Sequence, residues 1–421
     1  MADLGKNMLD IRISNRVAIL NLFFAKGGLS RKEIAAQLNL TPGAITIITG
    51  ELIEEGILLE SKITEGSKRL GRREVILDID RKKLKVLCAF FGNQEARVTC
   101  VNFVGEIDFI DNLSFSPNES GANIFEATSL AFQEYMAGMS PQERKWIVGV
   151  GLGIKGIYDS KRGVSVRSFG LWEDEVPVCS RMEEMLKLKV LAANNADCVV
   201  NAEWMFHQSW DMHSILLVRY GPLIGSALVI NNKNYSGYHY RSMEIAHTIV
   251  DPMGAECRCG KRGCLETRIG FDVITAQLEL HYSPAEMPIL YQLTGGDRRK
   301  ISMKVIMESY ERNEPIVCRV LEGAMDHLAL AIANTVSILD PEKVVLYGMP
   351  FACDKYLQAI KEKTARLMRG QQPLDMERSR QNLYLEDIGC ASIVIKDFLD
   401  HGAKFTNGST VHRNNDGPLP L

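Results

Sequence analysis

The amino-acid sequence predicts an α/β protein in which an N-terminal winged helix-turn-helix precedes a larger body of mixed sheets and helices. Three observations lead to this fold class. Capping residues and turns between residues 15 and 56 mark three short helices. A basic hairpin pattern follows them. From Val86 onward, buried strand patterns alternate with amphipathic helix patterns.

The composition is that of a soluble globular protein. Of the 421 residues, 46% are hydrophobic and 24% are charged, which excludes disordered and fibrous chains. No apolar run reaches the roughly 18 to 20 residues that a membrane span needs, and the first residues lack the apolar core of a secretory signal. Ten cysteines, several in strongly apolar surroundings, are typical of a reducing compartment. We therefore expect a cytoplasmic protein without a membrane segment.

Charge is distributed unevenly along the chain. The formal net charge is -3, yet residues 1–85 carry 15 Lys and Arg against 11 Asp and Glu. A basic front end on an acidic body indicates that nucleic acid, if it is bound, is bound by the N-terminal part.

The helix-turn-helix prediction depends on two helix starts. Ser30 and Glu33 have the spacing of a capping box, which predicts a helix over residues 31–38. Thr41 is a second cap, and Pro42 stands at the first helical position, where a missing N–H costs nothing. In this layout the N-terminal part of the second helix enters the major groove of DNA.

A basic hairpin completes the module. Two β-rich runs, residues 57–63 and 74–79, flank a tip that is rich in Lys and Arg. Such a hairpin is a wing, whose arginines reach phosphates or a narrow minor groove. The alternative is a winged helix that binds protein and carries a solvated basic loop, but the order of the elements favours DNA. The side chains that we expect to contact DNA are Arg31, Thr41, Thr46, Thr49, Arg69, Arg72 and Arg73.

Three cysteines lie within eight residues of the body. CRCGKRGCLE contributes Cys257, Cys259 and Cys264, and His247 lies ten residues before the first of them. Three thiolates and one imidazole are a closed tetrahedral set for Zn²⁺, which leaves no open position for a reacting water. A redox centre would need a CxxC pair or a resolving partner, and three unliganded thiols among basic residues would be reactive without a function. The sequence therefore predicts a structural zinc site.

The segment HTIVDPMGAECRCGKRGCLE resembles the signature of the ROK family (repressors, open reading frames and kinases). VGVGLGIKGIYD, AANNADCVVNAE and ANTVSILDPEKVVLYG occur in the order that the family shows. The family joins sugar kinases of the actin-like ATPase fold to sugar-responsive repressors with an added winged helix, and the chain is similar to its xylose-operon and N-acetylglucosamine-type repressors.

The resemblance implies a division of the chain into three parts. Residues 1–80 would form the winged helix DNA-binding domain, and residues 86–405 a two-lobed, sugar kinase-like domain that binds ligand and dimerises. Residues 406–421 are polar and are predicted to be a loose tail.

Three departures from the family's kinases predict that phosphoryl transfer is lost. The Asp-x-Gly-Gly-Thr phosphate turn is replaced by AFFGNQEAR. In the second phosphate loop, GPLIG, Pro222 lacks an N–H donor and Leu223 blocks close approach of the backbone. The catalytic Asp is replaced by Asn195, whose amide cannot accept the proton of a sugar hydroxyl at neutral pH. We expect a degenerate kinase fold without enzymatic activity.

The ligand residues are retained more fully. The resemblance implies that Asn194, Glu244, His247 and Glu266 hydrogen-bond sugar hydroxyls, a task that suits carboxylates and amides. His247 would direct one ring nitrogen to zinc and the other to the ligand. For Glu244 and Glu266 the alternative is simple surface charge.

These features predict a sugar-responsive transcriptional repressor of carbohydrate metabolism genes. It would bind double-stranded operator DNA as a homodimer or homotetramer, and a sugar or sugar derivative would act by binding one spacing of the winged helices better than another. Two alternatives remain open: an active ROK-family sugar kinase with an accessory DNA-binding domain, and a repressor controlled by a protein partner.

Overall fold

The chain forms two compact units. The computed structural model describes residues 8–61, 75–92, 94–116, 119–168, 172, 174–206, 212–221, 224–239, 242–370, 373–380 and 384–405. The first unit combines Met1–Gln208 with Tyr384–Leu421, and the second is Ser209–Leu383. The wing tip with Arg69, Arg72 and Arg73, the loop residues Pro222 and Leu223, and the predicted tail lie outside the described residues.

Helices in the described residues alternate with strands along the body. They are α1 (Met8–Lys26), α2 (Arg31–Leu38), α3 (Pro42–Glu54), α4 (Gly121–Ala137), α5 (Pro141–Arg144), α6 (Val178–Leu186), α7 (Asn195–Phe206), α8 (Glu266–Ile269), α9 (Phe271–Glu279), α10 (Pro288–Thr294), α11 (Met303–Glu311), α12 (Pro315–Leu339), α13 (Asp354–Leu367) and α14 (Leu385–Asp400).

The strands form two larger and two smaller sheets. They are β1 (Leu29–Ser30), β2 (Leu58–Ser61), β3 (Ile76–Ile79), β4 (Lys85–Phe91), β5 (Glu95–Asn102), β6 (Ile107–Ser114), β7 (Ile147–Ile154), β8 (Ile157–Asp159), β9 (Val164–Arg167), β10 (Val190–Asn194), β11 (Ser214–Arg219), β12 (Gly225–Ile230), β13 (Lys233–Asn234), β14 (Lys343–Tyr347) and β15 (Met376–Arg378).

The capping residues position the helices of the winged helix as the sequence predicts. The Ser30 hydroxyl accepts the Glu33 N–H at 3.3 Å, and the Glu33 carboxylate accepts the Ser30 N–H at 2.8 Å. The Thr41 hydroxyl accepts the Ala44 N–H at 3.3 Å at the start of α3. Asn39 makes the turn between α2 and α3 with a φ of 53°, a conformation that asparagine tolerates better than most residues.

Two features of the winged helix differ from the sequence prediction. The first helix begins at Met8 and not near residue 15. A short strand, β1, pairs with β3, so the wing strands belong to a three-stranded sheet in the order β1-β3-β2. Ser30 is both the last residue of β1 and the N-cap of α2. The sequence pattern at Ser30 indicates the helix start, and a strand of two residues leaves no pattern of its own.

The first unit contains a five-stranded sheet in the order β10-β7-β4-β5-β6. Strands β4, β7 and β10 are parallel, whereas β5 and β6 continue the sheet as antiparallel neighbours. Every residue of β7 is buried. Alternation of strand and helix in this part of the sequence therefore predicted a mixed sheet correctly.

Helix α14 lies directly against the glycines of β7. A methyl group at Gly151 would overlap the carbonyl of Cys390, and one at Gly149 would lie 3.1 Å from Val394. Gly389 of α14 approaches the backbone of Cys198 in α7 equally closely. The strand and the two helices can pack this tightly only because these positions lack side chains.

A buried ion pair joins the start of α14 to β5. Asp387 is fully buried, and its carboxylate accepts hydrogen bonds from Arg97 Nε at 2.8 and 3.0 Å. Burial raises the pKa of the Asp387 carboxyl, and the Arg97 guanidinium opposes that rise. Removing either partner would leave a buried charge uncompensated.

The second unit contains the other five-stranded sheet, in the order β13-β12-β11-β14-β15. Strand β11 pairs antiparallel with β12 and parallel with β14. The 25-residue helix α12 packs against α13 and α9 beside this sheet and buries its apolar face in the core. None of the described helices is long and apolar enough to cross a lipid bilayer.

Substitution of Gly151 by alanine tests the packing of α14 on β7. We expect Gly151→Ala to lower the free energy of unfolding by about 3 kcal/mol, because the new methyl group overpacks the contact with Cys390. Gly323→Ala is the matched control, since Gly323 is a solvent-exposed position of α12 where an added methyl group would meet open space. That control should stabilise by about 1 kcal/mol. Urea titration of both variants measures the difference, and equal stability would contradict the packing described here.

Candidate metal, ligand and DNA-binding sites

Four side chains of the second unit converge on one point. The ligand atoms of His247, Cys257, Cys259 and Cys264 all lie within 4.8 Å of one another. Cys257 Sγ lies 3.5 Å from His247 Nδ1, and Cys259 Sγ lies 3.6 Å from Cys264 Sγ. All three cysteines are free thiols. This cluster can hold a metal ion of the kind that takes nitrogen and sulfur ligands.

Two left-handed glycines shape the loop that carries the thiols. Gly260 has a φ of 88°, and its N–H donates to the Cys257 carbonyl at 2.8 Å. Gly263 has a φ of 71°, and a methyl group there would overlap the Asp251 carbonyl. Only glycine adopts both turns without steric cost, so the two glycines of the motif are needed to bring Cys264 back toward Cys257.

Burial and crowding act against ionisation of two of the thiols. Burial raises the pKa of the Cys264 thiol to about 12, with contributions from the neighbouring thiols of Cys259 and Cys257. Burial likewise raises the pKa of Cys257. For Cys259 burial acts in the same direction, but hydrogen bonds from the Lys261 backbone and the other two thiols lower its pKa overall.

The carboxylate of Glu266 pairs with a residue that sequence reasoning did not consider. Arg258 donates to Glu266 through Nε at 3.2 Å and through a second, shorter bond from its terminal nitrogen. The same carboxylate lies 3.7 Å from Cys257 Sγ and 3.8 Å from His247 Nδ1. Glu266 is therefore a neighbour of the metal cluster whose charge is balanced by Arg258. The two residues lie eight positions apart, and this spacing does not match the neighbour spacing of a helix or a strand, so the sequence did not predict the pair.

The ring of His247 faces the cysteine cluster, and the backbone carbonyl of His247 is bonded to Lys261. Nδ1 faces Cys257, so Nδ1 is the nitrogen in position to bind a metal. The Lys261 ammonium donates to the His247 carbonyl at 2.7 Å.

Glu244 lines a cavity of about 440 Å³ in the second unit. The preceding residue, Met243, has a φ of 59°. The Met243 carbonyl accepts a hydrogen bond from the Ser226 hydroxyl at 2.5 Å. A left-handed conformation is costly for a residue with a long side chain. The remaining lining is mainly apolar and includes Tyr235, Tyr238, Thr335 and Ile338.

Asn194 and Asn195 belong to the first unit, and both amides already make backbone bonds. Asn194 Oδ1 accepts the Ala196 N–H at 2.9 Å, which caps α7, and Nδ2 donates to the Gly156 carbonyl at 2.7 Å. Asn195 is buried and donates from Nδ2 to the Phe91 carbonyl at 3.3 Å. An aspartate at 195 would turn an oxygen toward that carbonyl and lose the bond.

An acidic side chain lies against Gly92, a residue of the segment compared above with the kinases' first phosphate loop. A methyl group at Gly92 would lie 3.1 Å from Glu95 Oε1, so the carboxylate folds over the turn. Gln94 adopts a φ of 57° beside it. A carboxylate at this place repels phosphate. Glu95 is visible in the sequence, but its position over the turn is a result of the fold.

The exposed face of α3 carries Thr46 and the capping Thr41. The prediction for Thr49 is wrong as a direct DNA contact, because its side chain is fully buried. Its hydroxyl donates to the Ile45 carbonyl at 2.7 Å and accepts Arg31 Nε at 3.0 Å. Thr49 therefore orients Arg31, which is half-buried and also lies 3.6 Å from Glu60.

Sequence reasoning missed Ile47. This side chain is 60% exposed on α3, next to Thr46. Gly43 and Gly50 lie one helical turn before and after these two residues, so Ile47 is the large apolar side chain on a face otherwise made of small residues and a threonine. An apolar residue on an otherwise small and polar helix face was the available signal.

Comparison with known proteins gives matches to both parts of the chain. The ROK family model matches residues 126–390, and a winged helix-turn-helix DNA-binding model matches residues 14–58. A putative xylose repressor of Caldicellulosiruptor sp. (strain Rt8B.4) is 25% identical over 92% of this chain and 97% of its own length. The DNA-binding transcriptional dual regulator NagC of Escherichia coli K12 is 24% identical over 82% of each chain.

Among solved structures, a ROK family transcriptional regulator, a homologue of the E. coli MLC protein, superposes with a TM-score of 0.76 at 22% identity. The match covers 93% of this chain and 98% of that one. At this identity the likeness establishes the fold.

Replacement of Met243 tests the strained backbone beside Glu244. Alanine ordinarily stabilises a chain relative to glycine, but at a φ of 59° the preference should reverse. We expect Met243→Gly to be more stable than Met243→Ala by about 1 kcal/mol. Comparison of the two variants removes the shared loss of the methionine side chain. Denaturant titration measures the difference, and a more stable alanine variant would contradict the left-handed assignment.

Proposed function

The chain belongs to the ROK family, and from that membership we propose that it is a transcriptional repressor of carbohydrate metabolism genes. It binds operator DNA through its winged helix and responds to a sugar or sugar derivative. The observation that carries the proposal is the exposed N-terminal face of α3, with Thr41 and Thr46 capping and flanking it. The names of the relatives, a xylose repressor and an N-acetylglucosamine-type regulator, support the same class of function.

Two contacts argue that the body does not phosphorylate sugar. Asn195 stabilises the Phe91 carbonyl as an amide donor, which a catalytic carboxylate would not do. Glu95 places negative charge over the turn where a kinase would bind phosphate. The alternative function, an active sugar kinase with an accessory DNA-binding domain, requires both obstacles to be overcome.

The effector would bind through the polar residues that the family resemblance assigns. These are Asn194, Glu244, His247 and Glu266. The amide of Asn194 and the carboxylate of Glu266 already have protein partners, so a ligand would add to these bonds or exchange with Arg258. A repressor of this design works in the cytoplasm, as a homodimer or homotetramer whose two-fold symmetry matches a palindromic operator.

Base reading by α3 would depend on apolar and hydroxyl contacts. The helix contains no lysine or arginine, so phosphate contacts fall to Arg31 and to the wing arginines Arg69, Arg72 and Arg73. Ile47 presents a methyl-rich surface that fits the C5-methyl group of thymine in the major groove. We therefore assign Ile47 to thymine recognition.

A DNA selection experiment tests this proposal. We expect the full chain to select a preferred duplex from random DNA and to bind it with an affinity that falls steeply as salt rises. Ile47→Ala should weaken binding to that duplex about tenfold, because the variant lacks a branched apolar side chain that contact with the DNA would bury. Replacing the contacted thymine by uracil should weaken DNA binding by the wild type to a similar degree. The same replacement should not further weaken DNA binding by the Ile47→Ala variant. Fluorescence anisotropy measures all four combinations.

Two results would overturn the assignments. If the chain selects no duplex, the repressor function is wrong; if uracil weakens both proteins equally, Ile47 does not contact thymine. A coupled ATP assay over a sugar panel provides the control for the alternative. Measurable turnover there would establish a kinase.

The metal in the second unit is proposed to be a structural Zn²⁺. Three sulfurs and the Nδ1 of His247 make a closed tetrahedral set, and thiolate ligands favour zinc over harder cations. When bound, the ion would join the segment around His247 to the turn that carries the cysteines. It would thereby hold Met243 and Glu244 at the edge of the cavity.

Cys257→Ala tests the zinc assignment. We expect the wild type to contain one zinc per chain by plasma mass spectrometry and the variant to contain none, with a Tm lower by about 10 °C. Cys318→Ala is the matched control, because Cys318 is a free thiol of the same unit that lies outside the cluster. A Cys257→Ala variant that kept its zinc would show that the cluster is not the metal site.

A further inference from the structure

Arg16 is a buried arginine at which three elements of the first unit meet. Its side chain is 7% exposed in the described structure. Nε donates to the Gly402 carbonyl at 2.6 Å, just beyond the end of α14. Its two terminal nitrogens donate to both carboxylate oxygens of Glu55, one of them at 2.9 Å. Glu55 is the C-cap residue directly after α3, so one guanidinium joins α1, the end of the DNA-reading helix and the chain after α14.

A second ion pair joins the same two helices and, among the described residues, makes no contact with the chain after α14. Arg12 and Glu51 stand one helical turn before Arg16 and Glu55, and they pair with each other within the winged helix. The Arg12 side chain is 54% exposed, and exposed pairs of this kind contribute little to stability. The two pairs therefore differ in the bond from Arg16 to Gly402 and in the burial of the arginine.

The winged helix makes a second contact at the start of β7. A methyl group at Gly56 would lie 2.8 Å from the Trp146 ring, and Lys83 Nζ stands 3.5 Å from the centroid of that ring. Trp146 directly precedes β7 and makes an edge contact with Phe405, beyond α14. The end of α3 thus touches both the first residue before β7 and the chain after α14.

The opposite ends of β7 and α14 lie at the asparagines of the proposed ligand site. β7 ends two residues before Gly156, whose carbonyl accepts Asn194 Nδ2 at 2.7 Å. Gly153 of β7 faces Asn195 Oδ1 and Cys390 Sγ. A strand of eight residues spans about 26 Å and a helix of 16 residues about 24 Å, so the two elements run side by side over the same length.

We propose that Arg16 is a positioning residue that fixes the DNA-reading helix to the β7–α14 pair. β7 and α14 are in direct contact, since a methyl group at Gly151 would overlap the Cys390 carbonyl, and on this proposal the closely packed pair moves as one body. A displacement of the Asn194 end is then carried to the end of α3 through Gly402 and Trp146. The expected effect on DNA binding rests on the proposed function. The connection of Arg16 to Glu55 and Gly402 is independent of that function.

Hydrogen exchange on the free, full-length chain tests the connection without DNA. In Arg16→Ala we expect the Gly402 and Ala403 amides, which bond to Leu399 and Phe398, to exchange about tenfold faster or more, together with Gly56 and Ile57 at the end of α3. Arg12→Ala should change the α14 amides by less than about twofold, because its ion pair stays within the winged helix.

Two further variants keep the test decisive. Arg16→Lys retains the charge but not the forked geometry, so its exchange should be intermediate. If Arg16→Ala fails to fold, Glu55→Gln replaces it, since Glu55 is partly exposed and glutamine keeps its shape; faster exchange at Gly56 and Ile57 is then expected.

The DNA arm uses the duplex selected by the wild-type chain. Arg16→Ala should bind it at least about fivefold more weakly than Arg12→Ala, at a temperature at which circular dichroism shows both variants to be folded. Equal exchange at Gly402 in the two alanine variants, or equal affinity for the duplex, would overturn the positioning role. A wild-type chain that selects no duplex would contradict the proposed function instead, and the exchange result would still decide the role of Arg16.

Discussion

The close approach of α14 to β7 is the constraint on which the first unit depends. Gly149, Gly151 and Gly153 alternate along one face of the strand. The Cys390 backbone of the helix occupies the space beside Gly151, and the side chains of Val394 and Cys390 occupy the space beside Gly149 and Gly153. Because these contacts leave no room for further atoms, they define the relative position of the strand and the helix. The asparagines at one end and the contacts of the winged helix at the other are held by that position.

In the second unit, the cysteine cluster lies in a segment with little regular secondary structure. The segment from residue 242 to 266 contains little regular structure, since it comprises one short 3-10 helix and two isolated bridges. Its backbone bonds close turns and do not form a helix or strand ladder; the Val250 N–H donates to the Gly263 carbonyl at 2.9 Å, for example. Four converging side chains add a further constraint, and the Arg258–Glu266 pair balances the charge beside them. The cavity edge at Met243 and Glu244 follows from this arrangement.

Local signals in the sequence were sufficient where the physics is local. The capping box at Ser30, the Thr41 cap and the cysteine spacing all predicted features that the structure contains. Prediction failed where a side chain's environment depends on distant parts of the chain. Thr49 is a small polar residue on the recognition helix, yet the packing of α3 against α2 buries it and leaves Ile47 exposed. Arg16 gave no signal, because its partners lie 39 and 386 residues away.

The sequence by itself determined the fold class, the order of the winged helix elements and the spacing of the cysteines that converge with His247. Each of these depends on residue types and spacings of a few residues, for which caps, turns and coordination chemistry are decisive. Only the tertiary structure decided that Glu95 lies against Gly92, that Glu266 pairs with Arg258, and that Arg16 joins the end of α3 to the chain after α14. These contacts arise between segments that the folded chain brings together, and no local pattern encodes them.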